Sequence, residues 1–211
     1  MTTAQQISHA TTTLPRTILD MVGAALPTAT LADAVLLVID AQQEYVDGRL
    51  PLPGIEASLA VGARLLARAR AAGTPVVHVL HRGSGALFNP DGGGFAPIPV
   101  MAPQAGEPVV HKGMANAFAG TELLKILQET GRRQLLVIGY MTHNCVSSTV
   151  RAGLDLGYRS TVVAAATGTR DLPDGRGGRI AAASLQAACL AGLADTIAKV
   201  AGGEEDIADR A

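Results

Sequence analysis

Short apolar runs separated by helical patterns constrain what this chain can fold into more than any other feature. The runs are rich in Val, Leu and Ala and occupy residues 34–40, 75–81, 108–112, 134–139 and 159–167. A strand that is covered on both faces has no polar side, so continuous apolar runs are typical of parallel sheets. Between the first two runs, apolar residues recur at helical spacing over 55–71, which fits the crossover that such a sheet needs. The sequence therefore predicts an α/β fold with helices on both faces of a parallel sheet.

Three further segments complete the predicted organisation. Residues 1–30 are Thr-rich and polar and are predicted to form an N-terminal arm, whereas residues 31–211 suit one domain. The Ala-rich stretch 179–200 is predicted to be one long helix. Gly and Pro are frequent over residues 83–108, and a loop of that length is usually a binding loop or a lid.

Charge and composition exclude several classes of partner. The formal net charge is −1, aromatic residues make up 3%, and Lys and Arg form no dense cluster. Neither nucleic acid nor an anionic membrane is therefore an expected partner. No apolar run reaches the roughly 18 residues of a membrane helix and no secretory signal is recognisable, so we expect a cytoplasmic protein. Two cysteines, Cys145 and Cys189, do not make a disulfide framework, which fits a reducing compartment.

Chemically reactive residues lie at the ends of three predicted strands. Asp40 ends the first run, Lys112 ends the third, and Cys145 follows the fourth at the start of a helical pattern. Ligands of open α/β sheets bind beyond the carboxyl ends of the strands, so we expect the three side chains to meet there. Asp40 would act as the base for the thiol and Cys145 as the nucleophile. We expect Lys112 and the N-terminus of the helix to lower the pKa of Cys145.

Three motifs in this order resemble those of the isochorismatase-like cysteine hydrolases, a family that includes nicotinamidases and N-carbamoyl amide, maleamate and ureidoacrylate hydrolases. The motifs are LLVIDAQQEYV, VVHKGMANAFAGTEL and LLVIGYMTHNCVSSTVRAGLDLGY, and the resemblance spans roughly residues 34–200. It implies a Rossmann-like three-layer α/β/α fold with about six parallel strands and a catalytic triad of Asp40, Lys112 and Cys145. It also implies a cis peptide bond before Met141, with the N–H groups of Met141 and Cys145 binding the oxyanion.

The same resemblance indicates pocket residues, cofactors and assembly. The candidates for substrate binding, each with ordinary packing or capping as the alternative, are Gln42, Tyr45, Asn116, Phe118 and His143. Nicotinamidases carry an Asp-x-His metal motif after the second strand, and the corresponding VVHVLHRGSG lacks the Asp, so we predict no metal and no cofactor. Whether His78, His81 or His111 reaches the pocket stays open. Relatives commonly form dimers or tetramers, so a homodimer or homotetramer is expected by analogy.

The predicted activity is hydrolysis of an amide, carbamoyl or related C–N bond in a small substrate through a thioester. Isochorismate-type hydrolases tend to lack the thiol, so the presence of Cys145 favours C–N cleavage. Two alternatives stay open. One is a vinyl-ether hydrolase in which Asp40 acts without the thiol, and the other is a non-catalytic small-molecule-binding or oligomeric protein on the same fold.

Overall fold

A six-stranded parallel sheet forms the centre of the computed structural model, which describes residues 14–210. Residues 1–13 of the predicted N-terminal arm and residue 211 lie outside the described residues. The strands of this sheet are β1 (Ala34–Ile39), β2 (Val76–His81), β3 (Val109–Lys112), β4 (Gln134–Tyr140), β5 (Arg159–Gly168) and β8 (Lys199–Ala201). Their order across the sheet is β3-β2-β1-β4-β5-β8. A separate antiparallel pair is made by β6 (Leu172–Pro173) and β7 (Arg179–Ile180).

Helices cover both faces of the sheet and give the three layers that the sequence predicts. The helices are α1 (Ile18–Met21), α2 (Ile55–Ala71), α3 (Leu123–Glu129), α4 (Ser147–Asp155) and α5 (Ala182–Ala194). Helix α2 packs on one face through Leu59, Leu65 and Leu66. Helices α3, α4 and α5 pack on the other face, where Leu127 and Leu193 are fully buried. No helix within residues 14–210 is both long and apolar enough to cross a membrane.

The central strand β1 shows why its sequence is wholly apolar. Leu36 and Val38 point into the cluster under α2, whereas Leu37 and Ile39 point into the cluster under α3 and α4. All four side chains are at most 1% exposed. Burial of such a side chain contributes about 1.5–3 kcal/mol relative to leaving it in water, so both faces of the strand favour apolar residues.

The predicted helix over residues 179–200 is wrong at both ends. The structure begins this stretch with β7, runs α5 only over Ala182–Ala194, and ends with β8, which pairs with β5 as the sixth strand. A three-residue strand is too short to show the alternation of apolar and polar residues that identifies a strand. Its residues, Lys199–Ala201, also continue the helical pattern that precedes them. Tertiary pairing with β5 therefore decides the conformation where the local pattern does not.

Candidate active site

Four side chains meet at the carboxyl edge of the sheet, in the order of the strands that carry them. Lys112 ends β3, His81 ends β2, Asp40 directly follows β1, and Cys145 lies in the turn after β4. His81 pairs in register with Lys112, so β2 places an imidazole beside the Lys112 side chain. The structure thus brings together the three residues predicted as a triad and adds His81, whose role the sequence left open.

The contacts of the Lys112 ammonium define the geometry of the site. Lys112 Nζ lies 2.7 Å from Asp40 Oδ2, 3.1 Å from His81 Nδ1 and 3.2 Å from Cys145 Sγ. Asp40 and Lys112 are at most 1% exposed, and Cys145 is 4% exposed. Strands β3 and β1 are two spacings apart, about 10 Å, so only a long side chain on β3 reaches the carboxylate. Lys112 therefore bridges Asp40 and Cys145 from across the sheet.

Burial dominates the electrostatics of the acid and the thiol. Burial raises the pKa of Asp40 above its ordinary value, and the nearby Lys112 charge only partly opposes this effect. For Cys145, burial and then the Asp40 carboxylate raise the pKa to about 12, again against the opposing effect of Lys112. Lys112 lowers the thiol pKa, as expected, but burial and the Asp40 carboxylate outweigh its effect, so the net shift of the pKa is upward. The raised pKa favours the neutral thiol form of Cys145.

A close approach between β1 and β4 fixes the positions of Asp40 and of the turn that carries Cys145. Asp40 has a left-handed backbone (φ 49°), and its N–H donates to Val79 O at 2.8 Å. Gly139 on β4 has φ 113°, and a Cβ there would lie 1.9 Å from Ile39 O. Only glycine fits this contact, which explains the Gly of the third motif.

Cys145 lies in a π-helical turn, Thr142–Val146, and not in the first α-helical turn that the sequence predicts. The peptide bond between Tyr140 and Met141 is cis, as the resemblance implies. Met141 O accepts hydrogen bonds from Asn144 N at 3.0 Å and Val146 N at 3.2 Å, and α4 follows the turn. Among residues 14–210 the Met141 N–H donates to no acceptor, so it is free to bind an oxygen of a substrate.

Gln42 and Tyr45, both predicted to bind substrate, are buried beside the triad. The Gln42 amide donates to His81 O and Phe95 O and accepts from His81 N, at 2.8–2.9 Å. These hydrogen bonds join the end of β2 to the loop that follows it, so Gln42 stabilises this part of the backbone. Tyr45 packs edge-on against Phe88, and burial followed by the Asp40 and Cys145 charges raises its pKa well above the ordinary value.

Asn116 and Phe118, two further predicted substrate contacts, have local and packing partners. Asn116 Oδ1 accepts a hydrogen bond from Phe118 N at 2.9 Å, and the Phe118 ring stacks on Tyr158 at 6.2 Å between centroids. The intervening Ala117 N donates to Thr149 Oγ1 at 3.0 Å. The segment after β3 is thereby tied to α4, and these contacts account for both side chains without a ligand.

His143 and Arg170 form the part of the site next to the end of β5. His143 Nδ1 hydrogen-bonds Thr169 Oγ1, and burial followed by the Arg170 charge lowers the pKa of His143. Arg170 makes no ion pair with any residue in 14–210, and its buried Nε has no hydrogen-bond partner there. Sequence reasoning missed Arg170, although its position just after the β5 strand is a signal of the kind that found Asp40. His78 instead bonds Glu107 at 2.9 Å, and His111 packs against Phe95.

The donor atoms of Asp40, His81 and Cys145 lie within 4.8 Å of one another, a set that could hold a divalent metal. The Lys112 ammonium contacts all three of these groups. A cation supplied by the chain therefore already occupies the position between them, and a metal ion would have to displace it.

Comparison with known proteins places this site in a family. The isochorismatase domain model matches residues 34–198. The chain belongs to the isochorismatase family. The crystal structure of an isochorismatase from Pseudomonas putida KT2440 superposes with a TM-score of 0.88 at 42% identity, covering 92% of this chain and all of that one.

Two curated members of the isochorismatase family show the range of named activities among its relatives. The secreted isochorismatase effector Isc1 of Verticillium dahliae is 40% identical over 177 residues, which are 83% of this chain and 90% of that protein. Maleamate amidohydrolase of Pseudomonas putida is 34% identical over 153 residues, 64% of this chain and 72% of that protein. Membership in the isochorismatase family makes the chain a hydrolase, and the site chemistry has to distinguish between the activities.

Proposed function

We propose that this chain is a cysteine hydrolase that cleaves an amide, carbamoyl or related C–N bond of a small substrate through a thioester. The observation that carries the proposal is the shared ammonium, with Lys112 Nζ at 2.7 Å from Asp40 Oδ2 and 3.2 Å from Cys145 Sγ. A thiol without a base is a weak nucleophile, and a buried carboxylate with raised pKa is a fitting acceptor for its proton. The amidohydrolase name of a relative that is 34% identical supports the same reaction class.

The mechanism moves one acyl group and passes one proton through Asp40 in each of its two halves. Asp40 accepts the thiol proton while Cys145 Sγ attacks the carbonyl carbon, and the C–N bond then breaks as protonated Asp40 returns the proton to the leaving nitrogen. Water, deprotonated by Asp40, attacks the thioester, and the proton passes back to the departing sulfur. Lys112 stays protonated and faces the negative charge, first on Asp40 and then on sulfur.

Backbone donors stabilise the oxyanion in this proposal. The N–H groups of Met141 and Cys145 lie on the turn that follows β4. An oxyanion donor of this kind is worth about 3 kcal/mol of barrier. Neither group needs a side chain, so the turn supplies them whatever substrate the pocket accepts.

Arg170 indicates the charge of the substrate. Its guanidinium has no carboxylate partner within residues 14–210, and its charge acts on the pKa values of both Tyr45 and His143. Arg170 Nη1 donates to the backbone oxygen of Asp171 at 3.2 Å, and the two residues line a surface cleft. A planar guanidinium pairs well with a carboxylate. We infer a small amide that carries an acidic group, with Tyr45 and His143 as neighbouring pocket residues and Gln42, Asn116 and Phe118 supporting the walls.

The experiment that tests the proposal compares ammonia release by the wild-type protein and by Cys145→Ala on a panel of small amides and ureas, with and without a carboxylate. We expect the variant to lose at least about 1000-fold in kcat, because it lacks the nucleophile. Cys189→Ala is the matched control and should keep wild-type activity. Arg170→Gln should raise KM for acidic amides and leave KM for neutral amides within about twofold.

The two alternatives predict other outcomes of the same experiment. A vinyl-ether hydrolase that uses Asp40 alone would keep its turnover of isochorismate in Cys145→Ala, and the name of the 40% identical relative makes isochorismate the substrate to include. A non-catalytic binding protein would turn over no member of the panel. Either result would refute the thioester mechanism.

A further inference from the structure

The Lys112 ammonium hydrogen-bonds Cys145 and His81 and forms an ion pair with Asp40, and one of these three partners is not a member of the triad. The partners are Asp40 Oδ2 at 2.7 Å, Cys145 Sγ at 3.2 Å and His81 Nδ1 at 3.1 Å. An ammonium donates only, so Nδ1 must present its lone pair. The ring proton then lies on Nε2, and His81 is neutral in this arrangement.

We propose that His81 is a positioning residue for hydrolysis, which as the neutral Nε2–H tautomer accepts from Lys112 and holds the ammonium between Asp40 and Cys145. This inference rests on the proposed function, because it assigns a role within the same reaction. His81 touches neither the carbonyl carbon nor the leaving group, so it acts through Lys112.

A third acceptor is needed because the other two change charge during the reaction. When the thiol proton moves to Asp40, the carboxylate becomes neutral and its attraction for Lys112 weakens. The side chain of Lys112 is long and flexible, and no other residue of β3 holds the ammonium in place. The imidazole of His81 keeps the same lone pair throughout, so it fixes the ammonium while the negative charge passes to sulfur.

The surroundings of His81 hold the ring in the orientation that this role requires. Its backbone N–H and C=O are both bonded by the Gln42 amide, at 2.8 Å and 2.9 Å. Its ring meets Phe88 edge-on at 5.1 Å between centroids. Gln42 and Phe88 thus fix the position of His81, and through His81 they affect the position of the Lys112 ammonium.

Burial and the Lys112 charge favour the neutral form of the His81 ring, whereas Asp40 opposes them. The charged groups that face the ring are Lys112 on β3 and Asp40 after β1, and the Cys145 thiol lies within 4.8 Å. Burial and then the Lys112 charge lower the pKa of His81, against a smaller opposing effect of Asp40. Protonation would place a second cation against the ammonium and remove its acceptor. Activity should therefore fall as the pH drops through the His81 pKa.

A pair of variants separates the acceptor from mere packing. In His81→Asn the side-chain oxygen occupies roughly the position of Nδ1 and accepts without titrating, whereas His81→Leu fills space without an acceptor. On a substrate turned over in a Cys145-dependent way, we expect kcat to fall about 100-fold in His81→Leu with KM within about threefold, and less than about tenfold in His81→Asn. The acid limb of kcat/KM should move to lower pH in His81→Asn.

Equal losses of kcat in the two variants, a loss confined to KM, or an unmoved acid limb in His81→Asn would overturn the inference. Thermal melting of both variants checks that they are folded. A second measurement needs no activity: long-range ¹H–¹⁵N spectra at pH 7 should show the Nε2–H tautomer of His81. An imidazolium or an Nδ1–H tautomer would overturn the role of His81 even if the proposed hydrolysis were correct. The expected Nε2–H tautomer in a protein without turnover would instead count against the proposed hydrolysis.

Discussion

In a Cys189→Ser protein, where Cys145 is the remaining cysteine, we expect iodoacetamide to alkylate Cys145 slowly near neutral pH. The pKa of this thiol is raised from an ordinary 9.0 to about 12, first by burial and then by Asp40. At pH 8 the thiolate fraction falls from about one in ten to about one in ten thousand. Because the thiolate is the species that reacts, alkylation should be about 1000-fold slower than for a free cysteine peptide, before any effect of steric access.

Two variants should change the alkylation rate in opposite directions. Asp40→Asn removes the carboxylate that raises the thiol pKa, so Cys145 should react faster than in the parent protein. Lys112→Met removes the charge that lowers it, so Cys145 should react more slowly. The rate is measured by mass spectrometry of quenched samples, with the Cys145→Ala, Cys189→Ser double variant as the blank.

Steric protection of a 4% exposed sulfur is distinguished from protonation by the pH profile. If ionisation limits the reaction, the rate rises about tenfold per pH unit up to about pH 10 without a plateau. A thiolate that is merely shielded would react at a rate independent of pH over this range. A profile with its midpoint below about pH 8, or a slower Asp40→Asn variant, would refute the electrostatic reasoning.

Three further predictions follow from contacts elsewhere in the chain. Gly139→Ala should destabilise the protein by about 3 kcal/mol or more, or prevent folding, because its Cβ would lie 1.9 Å from Ile39 O. Urea unfolding measures the loss of stability, and a variant that unfolds at the wild-type urea concentration would contradict the prediction. Hydrogen bonds, above all from Arg70, hold the pKa of Glu107 at about 2 against an ordinary 4.5, so the stability that this carboxylate contributes is complete above about pH 4.5 and is lost as the pH falls toward 2. Glu107→Gln should therefore have a lower Tm than wild type at pH 7 and the same Tm in acid. Tm profiles that run parallel over this pH range would contradict this. Sedimentation should show a homodimer or homotetramer, since the outer face of α5 exposes only small residues such as Ala187 and Ala191; a monomer at micromolar concentration would contradict this.

The sheet could be predicted from the sequence because its central strands are buried on both faces. β1 and β4 are continuous apolar runs, and the helix over Ile55–Ala71 has the predicted bounds. Strand β8 could not be predicted, since a three-residue strand owes its conformation to pairing with β5 and not to its own pattern. Local sequence is informative where one element buries its own apolar surface, and uninformative where a neighbour decides.

The triad was predictable from strand-end positions, but its electrostatics were not. The sequence shows that Asp40, Lys112 and Cys145 lie at strand ends, whereas the depth of burial that raises the thiol pKa depends on how α4 and α5 pack against the turn that carries Cys145. Arg170 and His81 also follow strands, and the strand order shows why His81 belongs to the site: β2 lies between the strands of Lys112 and Asp40. The order of the strands across the sheet is a property of the fold, and it cannot be read from a single sequence.

The raised pKa of Cys145 is compatible with catalysis once the buried charges are counted. Ionising the thiol to water would leave two anions, Asp40 and Cys145, facing the single ammonium of Lys112 in a desolvated site. Passing the proton to Asp40 keeps one anion and one cation, so the number of buried charges does not change and burial penalises both states alike. The same ammonium contacts both groups, and it therefore stabilises the charge on either side of the transfer. Burial thus suppresses a free thiolate while leaving the internal proton transfer accessible when a carbonyl arrives.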